Sequence, residues 1–410
     1  MSDPSTTHIH ARWRAMAACG LLVGATITGM TGIDLVLPAI PILPDVLGGT
    51  VAAAQLVIAA FVAGIALGLL VFGALGDHFD RRSILGAALA VFAALSFACA
   101  RAPDMETLIA LRFLQGLSSA AAAVLTPGMI RGLFDDRGAV QAIGVLGSLE
   151  SLVPALAPIA GSGLLAWFGW RASFEATALL AFALAAAIVL GRGLMPGGTS
   201  GHKQGSYRAL LRDRVFLRYT LSQAFTLGGL LIFVFGAPAV FVRAMGGELA
   251  DFIVLQLCGV TSFIMATTST GRLVGRFGTE QLIWFGTALA LVASLAILAY
   301  GLAGGMNTLV VTALFVPMNL GLGLRGPPGF LRAIVAARGD DARGAALLFL
   351  AVMAVSTAGT ALLAPFIMAG LPALAGAATA VHAAALMCLV AFPPLELPAF
   401  IERRQAAPDA

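Results

Sequence analysis

An all-α membrane protein, with twelve transmembrane helices in two six-helix pseudo-symmetric bundles, is the fold class this sequence predicts. Three observations lead there. First, 60% of the 410 residues are apolar and 11% are charged, against about 25% charged residues in a soluble domain. A chain of this make-up lacks the polar surface to stay in water. Second, the apolar residues gather into twelve segments, each near the ~20 residues that a bilayer-spanning helix needs. Third, landmarks of the first half recur in the second at a nearly constant offset.

The segments run at about 15–41, 50–75, 83–101, 106–134, 139–167 and 171–193, then at about 215–243, 248–273, 279–304, 307–336, 342–370 and 373–394. Arg12 and Arg14 precede the first, which reads as a retained span and not a cleavable signal. The stretch from Met195 to Tyr207 is rich in Gly and Ser and reads as a linker. It leads into Arg208, Arg212, Asp213 and Arg214, expected on a short amphipathic surface helix. The expected organisation is an N-terminal bundle over 1–194, a cytoplasmic linker over 195–214 and a C-terminal bundle over 215–410.

Charge sets the expected orientation. With the N-terminus inside, nineteen of the 24 Lys and Arg residues fall on the cytoplasmic side. Arg101, Arg171 and Arg243 fall outside, and Arg112 and Arg325 remain within spans. The positive-inside rule then puts both termini in the cytoplasm of a multi-pass inner (plasma) membrane protein. The net charge of +4 therefore reports topology, and no nucleic-acid partner is expected. Cys19, Cys99, Cys258 and Cys388 all lie in apolar stretches without metal-ligand spacing and read as small hydrophobes. No HExxH, GxSxG or phosphate-cradling loop is present. No metal, cofactor or catalytic residue is expected, and the chain does not read as an enzyme.

The repeat is visible residue by residue. Pro38 and Gly48-Gly49 recur as Pro238 and Gly246-Gly247. The run Gly73-Ala-Leu-Gly-Asp77-His-Phe-Asp80-Arg81 recurs as Gly271-Arg-Leu-Val-Gly-Arg-Phe-Gly278. Asp135-Asp136-Arg-Gly138 recurs as Asp340-Asp-Ala-Arg-Gly344, and Ala157-Pro158 as Ala364-Pro365. Each match alone is weak, but their common spacing describes two six-span repeats. Parallel repeats of this kind place a binding site near the bilayer midplane.

The loop after span 2, Gly73-Ala-Leu75-Gly-Asp77-His-Phe-Asp80-Arg81-Arg82, resembles the signature loop of the major facilitator superfamily, with Asp80 where that pattern has glycine. Arg112-Phe-Leu-Gln115-Gly116 in span 4 is similar to the superfamily's Arg-x-x-Gln-Gly motif. With Asp34-Leu-Val-Leu-Pro38 and Pro154-Ala-Leu-Ala-Pro158-Ile-Ala-Gly161, the chain resembles the Bcr/CflA branch of drug:proton antiporters. The resemblance implies a conformational latch built from Gly73, Asp77, Arg81 and Arg82, with Asp135 or Asp136 in a gating role. Physically, an acid beside arginines at a helix end can make and break charge-assisted contacts between domain arrangements. The alternative is plain positive-inside anchoring, with Asp77 solvated.

Charges inside the membrane carry the chemistry, because each costs at least ~2.5–3.5 kcal/mol to insert. Four stand out: Asp34 in span 1, Arg112 in span 4, Glu150 in span 5 and Arg325 in span 10. At 1.5 Å per residue, Asp34 and Arg112 are expected roughly 10 Å below the outer surface, and Glu150 and Arg325 about 16 Å from the cytoplasmic side. Asp34 reads as a proton-coupling carboxylate with Arg112 nearby, or as half of a static ion pair with it. Glu150 reads as a proton- or cation-binding acid in the cavity, or as one end of a permanent brace to Arg325. The Gly- and Pro-rich run Gly321–Gly329 around Arg325 reads as an interrupted helix lining a site, or as a kink that serves packing alone. Gln223, Gln256 and Asn319 are candidate polar contacts for a substrate, and His382 reads as buried packing.

The expectation is a proton-coupled secondary transporter exporting small amphiphilic compounds by alternating access. The expected partners are a small-molecule substrate, protons and the lipid bilayer, with the chain a monomer. Two alternatives stay open, a proton-coupled carrier of one metabolite and a sensor or scaffold that does not transport.

Overall fold

The computed structural model describes residues 4–134, 136–196, 207–338 and 341–395. Among the described residues twelve helices are long and apolar enough to cross a membrane, from Trp13–Leu47 to Leu371–Ala391. Each lies where the hydropathy of the sequence places it. Two compact units result, one holding the chain through Gly49 and from Ala60 to the linker, the other holding Thr50–Ala59 and the chain after the linker.

In chain order the first six spans are α1 (Pro4–Asp34) continued by a 3-10 helix (Leu37–Ile42) and α2 (Leu43–Leu47), then α3 (Val51–His78), α4 (Arg81–Ala100), α5 (Met105–Arg131), α6 (Asp136–Phe168) and α7 (Arg171–Leu190). A single turn, α8 (Tyr207–Leu210), precedes the second six. These are α9 (Arg214–Ala239), α10 (Leu249–Phe277), α11 (Thr279–Leu302), α12 (Thr308–Ala336), α13 (Asp341–Leu363) and α14 (Leu371–Ala391). The helices start where short polar side chains can cap them. Asp104 accepts from the Thr107 N–H at 2.8 Å, Asp213 from Val215 at 2.8 Å and Asn307 from Leu309 at 2.9 Å. The bond from the Thr107 backbone also holds the Asp104 carboxyl below its ordinary range. Asp80 opens α4 at φ −61°, so the loop turns there without the glycine of the superfamily pattern.

The two bundles share one packing scheme. In the first, α1 packs on α5, α6 and α7, and α4 packs on α5 and α7. In the second, α9 packs on α12, α13 and α14, and α11 packs on α12 and α14. This correspondence is the six-helix pseudo-symmetry that the repeat predicts. Glycines bring backbones together at the seams, as expected where lipid supplies no hydrophobic drive between helices. A Cβ on Gly116 would stand 1.9 Å from the Phe61 carbonyl oxygen, and one on Gly64 2.0 Å from that of Phe113. In the second bundle, a Cβ on Gly286 would meet the Gly321 oxygen at 2.4 Å.

The structure corrects four expectations. Span 1 is not one continuous α-helix: α1 ends at Asp34 and resumes as a 3-10 helix at Leu37. Pro38 has no N–H for the Asp34 carbonyl and its ring crowds that oxygen. Thirteen residues, not seven, separate Asp34 from the end of the span at Leu47, so at about 1.5–2.0 Å per residue the carboxylate lies about 20 Å or more along the chain axis from that end, not 10 Å. Span 10, by contrast, is unbroken. Pro327 cannot donate to the Gly323 carbonyl, but that oxygen accepts from Thr270 Oγ1 at 3.2 Å and Thr267 Oγ1 at 3.4 Å on α10. A neighbouring helix supplies the hydrogen bonds that proline removes. The surface helix expected near Arg208–Arg214 is only the four residues of α8, because Asp213 caps α9 and ends it. Arg218, inside the seventh span, is buried within α9.

Candidate functional site

In the first bundle the polar residues of α1, α4 and α5 meet around Arg112. This arginine is fully buried and donates from Nη1 to the Gly32 carbonyl at 2.8 Å and to Gln115 Oε1 at 2.8 Å. Gln115 in turn donates to Ser96 Oγ at 2.7 Å, and Ser96 to the Phe92 carbonyl at 2.7 Å. The Cys99 thiol reaches Gln115 Oε1 at 3.7 Å, so this cysteine joins the network instead of merely filling space. The Arg112 guanidinium lies 4.0 Å above the Phe61 ring and 5.7 Å from that of Phe174. Aromatic faces and neutral oxygens hold the cation in place.

Asp34 closes α1 two residues beyond Gly32 and is 9% exposed. Among the described residues no ion pair joins Asp34 to Arg112. The static pair is therefore not formed here. Gly161 of α6 faces the break that follows Asp34, where a Cβ would stand 2.3 Å from the Leu35 oxygen. The span-5 glycine in the run from Pro158 thus lets α6 press on the non-helical turn. Glu150 is half-buried on α6 and carries no ion pair among the described residues.

At the loop end of the bundle, Gly73 and Asp77 belong to the last turns of α3; the Asp77 side chain lies outside the described residues. So do Asp135 and the side chain of Asp136. Arg81 lies against Gly128 of α5, with Nη1 3.0 Å from the position of a Cβ there. Arg82 pairs with Asp80 at 3.2 Å and donates to the Arg192 carbonyl at 3.2 Å, while Arg192 donates to Ser83 Oγ at 2.6 Å. These bonds tie the start of α4 to the end of α7.

The second bundle has its own buried arginine. Arg325 donates from Nη1 to the Ser222 carbonyl at 2.7 Å, to Ser222 Oγ at 3.2 Å and to Thr226 Oγ1. Gln223, on the same turn of α9, lies close to Gly329, as Arg325 does. The structure therefore brings Gln223 and Arg325 together. Asn319 donates to the Phe315 carbonyl at 3.1 Å and faces Gly259 of α10, one turn beyond the buried Gln256. His382 is buried against Gly229, its Nε2 3.2 Å from the Thr226 oxygen, so it lines the Arg325 cluster. A second network escapes sequence reasoning. Buried Arg218 pairs with Glu280 and donates to the Leu389 and Phe392 carbonyls, and Tyr219 donates to Glu280 at 2.9 Å. It clamps the end of α14. The signal available was weak: an Arg-Tyr pair one turn inside a helix start.

Among the described residues no three His, Cys, Asp or Glu side chains converge as a metal site would require. What the two clusters share is a buried arginine held by neutral hydrogen-bond acceptors. The family model for the Major Facilitator Superfamily matches residues 22–347. The chain belongs to the major facilitator superfamily. Curated relatives are similar over most of its length. The uncharacterized MFS-type transporter YdgK of Bacillus subtilis (strain 168) is 29% identical over 314 residues, 74% of this chain and 77% of that one. A chloramphenicol resistance protein of Pseudomonas aeruginosa is 29% identical, covering 70% of this chain and 69% of that one. The multidrug resistance protein MdtL of Escherichia fergusonii is 25% identical, covering 72% and 75%. Among solved structures, the POT family transporter PepTSo superposes with a TM-score of 0.75 over 96% of this chain and 98% of that one, at 13% identity. That likeness carries the fold. This superfamily member is a multi-pass membrane protein and a secondary transporter of small molecules, related to the drug-resistance carriers.

Proposed function

We propose that the protein is a proton-driven exporter of small amphiphilic compounds, drugs among them, akin to the Bcr/CflA branch and working by alternating access. The observation that carries this reading is Asp34, a nearly buried carboxylate at the break of span 1 that has no ion-pair partner among the described residues. An intramembrane acid is a costly residue to keep, and one outside any structural pair can exchange a proton without dismantling the fold. Arg112 acts as its positioning residue through Gly32. Glu150 contributes a cavity acid, and Arg325, Gln223, Gln256 and Asn319 contribute polar contacts from the second half. The loop from Gly73 to Arg82, with Asp135 and Asp136, serves as the latch between domain arrangements. Bundles 1–194 and 215–410 are the moving parts, joined by 195–214, with both termini on the cytoplasmic side of the inner membrane, as the distribution of Lys and Arg supports. Relatives named for resistance to chloramphenicol and to multiple drugs support export.

The test uses the intact protein in liposomes that enclose a pH-sensitive dye, with chloramphenicol as the probe. Chloramphenicol-dependent proton movement is expected from the native protein and not from Asp34→Asn at equal reconstituted amounts. Undiminished movement in Asp34→Asn would remove Asp34 from coupling. A response confined to one metabolite, with chloramphenicol and unrelated compounds inert, would replace export of drugs with a selective carrier.

A further inference from the structure

We infer that a groove at the linker-side end of the second bundle binds the headgroup of an anionic phospholipid. The groove lies where α9 and α11 begin and α14 ends. It opens broadly to the outside and has a volume of about 690 Å³, within the roughly 300–1,000 Å³ of ligand-sized clefts. Three kinds of side chain line it: the cationic Arg214 and Arg218, the amphipathic Trp284, and the apolar Val390, Phe392 and Pro393.

One wall is built in advance. Arg218 donates to the Leu389 and Phe392 carbonyls, and the Leu395 N–H donates to the Tyr219 hydroxyl at 2.9 Å. Between these anchors stand Pro393 and Pro394, whose rings fix φ and which have no N–H to satisfy. The segment after α14 is thus pinned at both ends, and a ligand need not order it.

The charge of the groove is positive. Arg218 is answered by Glu280, which also accepts from Tyr219. Arg214 is exposed and forms no ion pair among the described residues. Its neighbour Asp213 is engaged elsewhere, by the N–H groups of Val215 and Phe216 and by Arg338 at 3.3 Å. Arg208 and Arg212, shortly before it, are exposed as well. Arg214 therefore brings a cation into the groove with no acid of this chain set against it.

Its position selects a lipid. Val390, in the last turn of α14, is 72% exposed, and Phe285, beside Trp284 on α11, is 58% exposed. Apolar side chains laid open on membrane-crossing helices face acyl chains, and tryptophan favours the level of the headgroups. The groove thus joins the hydrocarbon to the water. A soluble phosphate compound would answer Arg214 and leave the apolar wall bare. A phospholipid answers both, with its phosphate at Arg214 and its glycerol and chains along Trp284 and Val390. Basic pockets at the ends of membrane helices hold anionic headgroups by this combination. The inference does not depend on the transporter reading above.

The experiment titrates dioleoyl phosphatidylglycerol into the full chain in detergent and counts the retained lipid by native mass spectrometry. Two further probes bracket it. Dioleoyl phosphatidylcholine has the same chains and no net charge, and glycerol 3-phosphate has the phosphate and no chains. Phosphatidylglycerol is expected to bind more tightly than phosphatidylcholine, and glycerol 3-phosphate should not displace it. Arg214→Gln should weaken its binding about fivefold, the effect of one arginine at an anionic lipid surface. Arg276→Gln, an equal loss of charge at the exposed end of α10 and outside the groove, should leave binding unchanged. Equal retention of the two lipids by the native protein would overturn the site, and this comparison needs no variant to fold. Equal weakening by the two substitutions would overturn it too, by showing diffuse attraction to a basic surface. Displacement of phosphatidylglycerol by glycerol 3-phosphate at matching concentration would assign the groove to a soluble phosphate compound and end the lipid reading.

Discussion

Arg112 donates from Nη1 to the Gly32 carbonyl at 2.8 Å, tying span 4 to the last turn of α1 two residues before Asp34. The arginine thus reaches the turn before Asp34 through the backbone, and among the described residues no ion pair joins the two side chains. Arg112→Ala would leave the Gly32 and Gln115 oxygens without this donor, each such loss costing about 1–3 kcal/mol. Arg112→Lys should retain the charge but not the planar contact with Phe61. Melting of the purified protein is expected to fall in both variants, most in Arg112→Ala. Melting of Arg112→Ala at the native temperature would show that the bond holds nothing.

Helix contact at Phe61 gives a sharper test. Gly116→Ala puts a methyl group 1.9 Å from the Phe61 carbonyl oxygen, and that neighbour is backbone, which cannot swing aside. Separation of α3 from α5 should cost about 1–3 kcal/mol, as overpacking does elsewhere. Gly144→Ala, where nothing stands within 4 Å, is the control and should melt as the native protein does. Equal melting of the two variants would disprove the close approach.

Span 10 makes a prediction about prolines. Thr270 and Thr267 supply the hydrogen bonds that Pro327 withholds from Gly323. The double variant Thr267→Val, Thr270→Val should cost about 1–3 kcal/mol by orphaning that carbonyl. Adding Pro327→Ala, which restores a backbone donor, should recover most of it. No recovery in the triple variant would mean that the threonines stabilise α12 in some other way.

These cases also show what was legible in the sequence. The twelve spans and their repeat are, because burying an apolar helix in lipid leaves a mark at every position. Asp34, Arg112, Glu150 and Arg325 are, because a charge within an apolar run is conspicuous. Their partners are not. Gly32 lies 80 residues before Arg112, and Ser222 lies 103 before Arg325, and nothing local in either stretch announces the pairing. Pro38 and Pro327 look alike in sequence, yet one ends a helix and the other does not. At Pro327 the freed Gly323 carbonyl is met by the threonine pair on α10, a tertiary fact.

Glu150 offers the test that bears most on substrate choice. It is half-buried on α6, and no ion pair among the described residues would be lost with its charge. Glu150→Gln keeps the shape and the hydrogen-bonding capacity, so the amount of folded protein should stay near native. If a permanent pair with Arg325 were its role, the same change would leave a buried charge alone, at a cost of about 3–5 kcal/mol, with a second substitution at Arg325 as the remedy. A cavity acid behaves differently. It attracts a cation through its charge and does nothing for a neutral compound whose transport is coupled through Asp34. Export of ethidium, a cation, is therefore expected to fall about tenfold or more in Glu150→Gln, the loss of roughly 1.4 kcal/mol of attraction. Export of chloramphenicol, which is neutral, should persist. The decisive comparison sets both exports beside the level of folded protein in one preparation. Equal loss of the two with normal folding would make Glu150 a coupling residue and end its role in selecting cations.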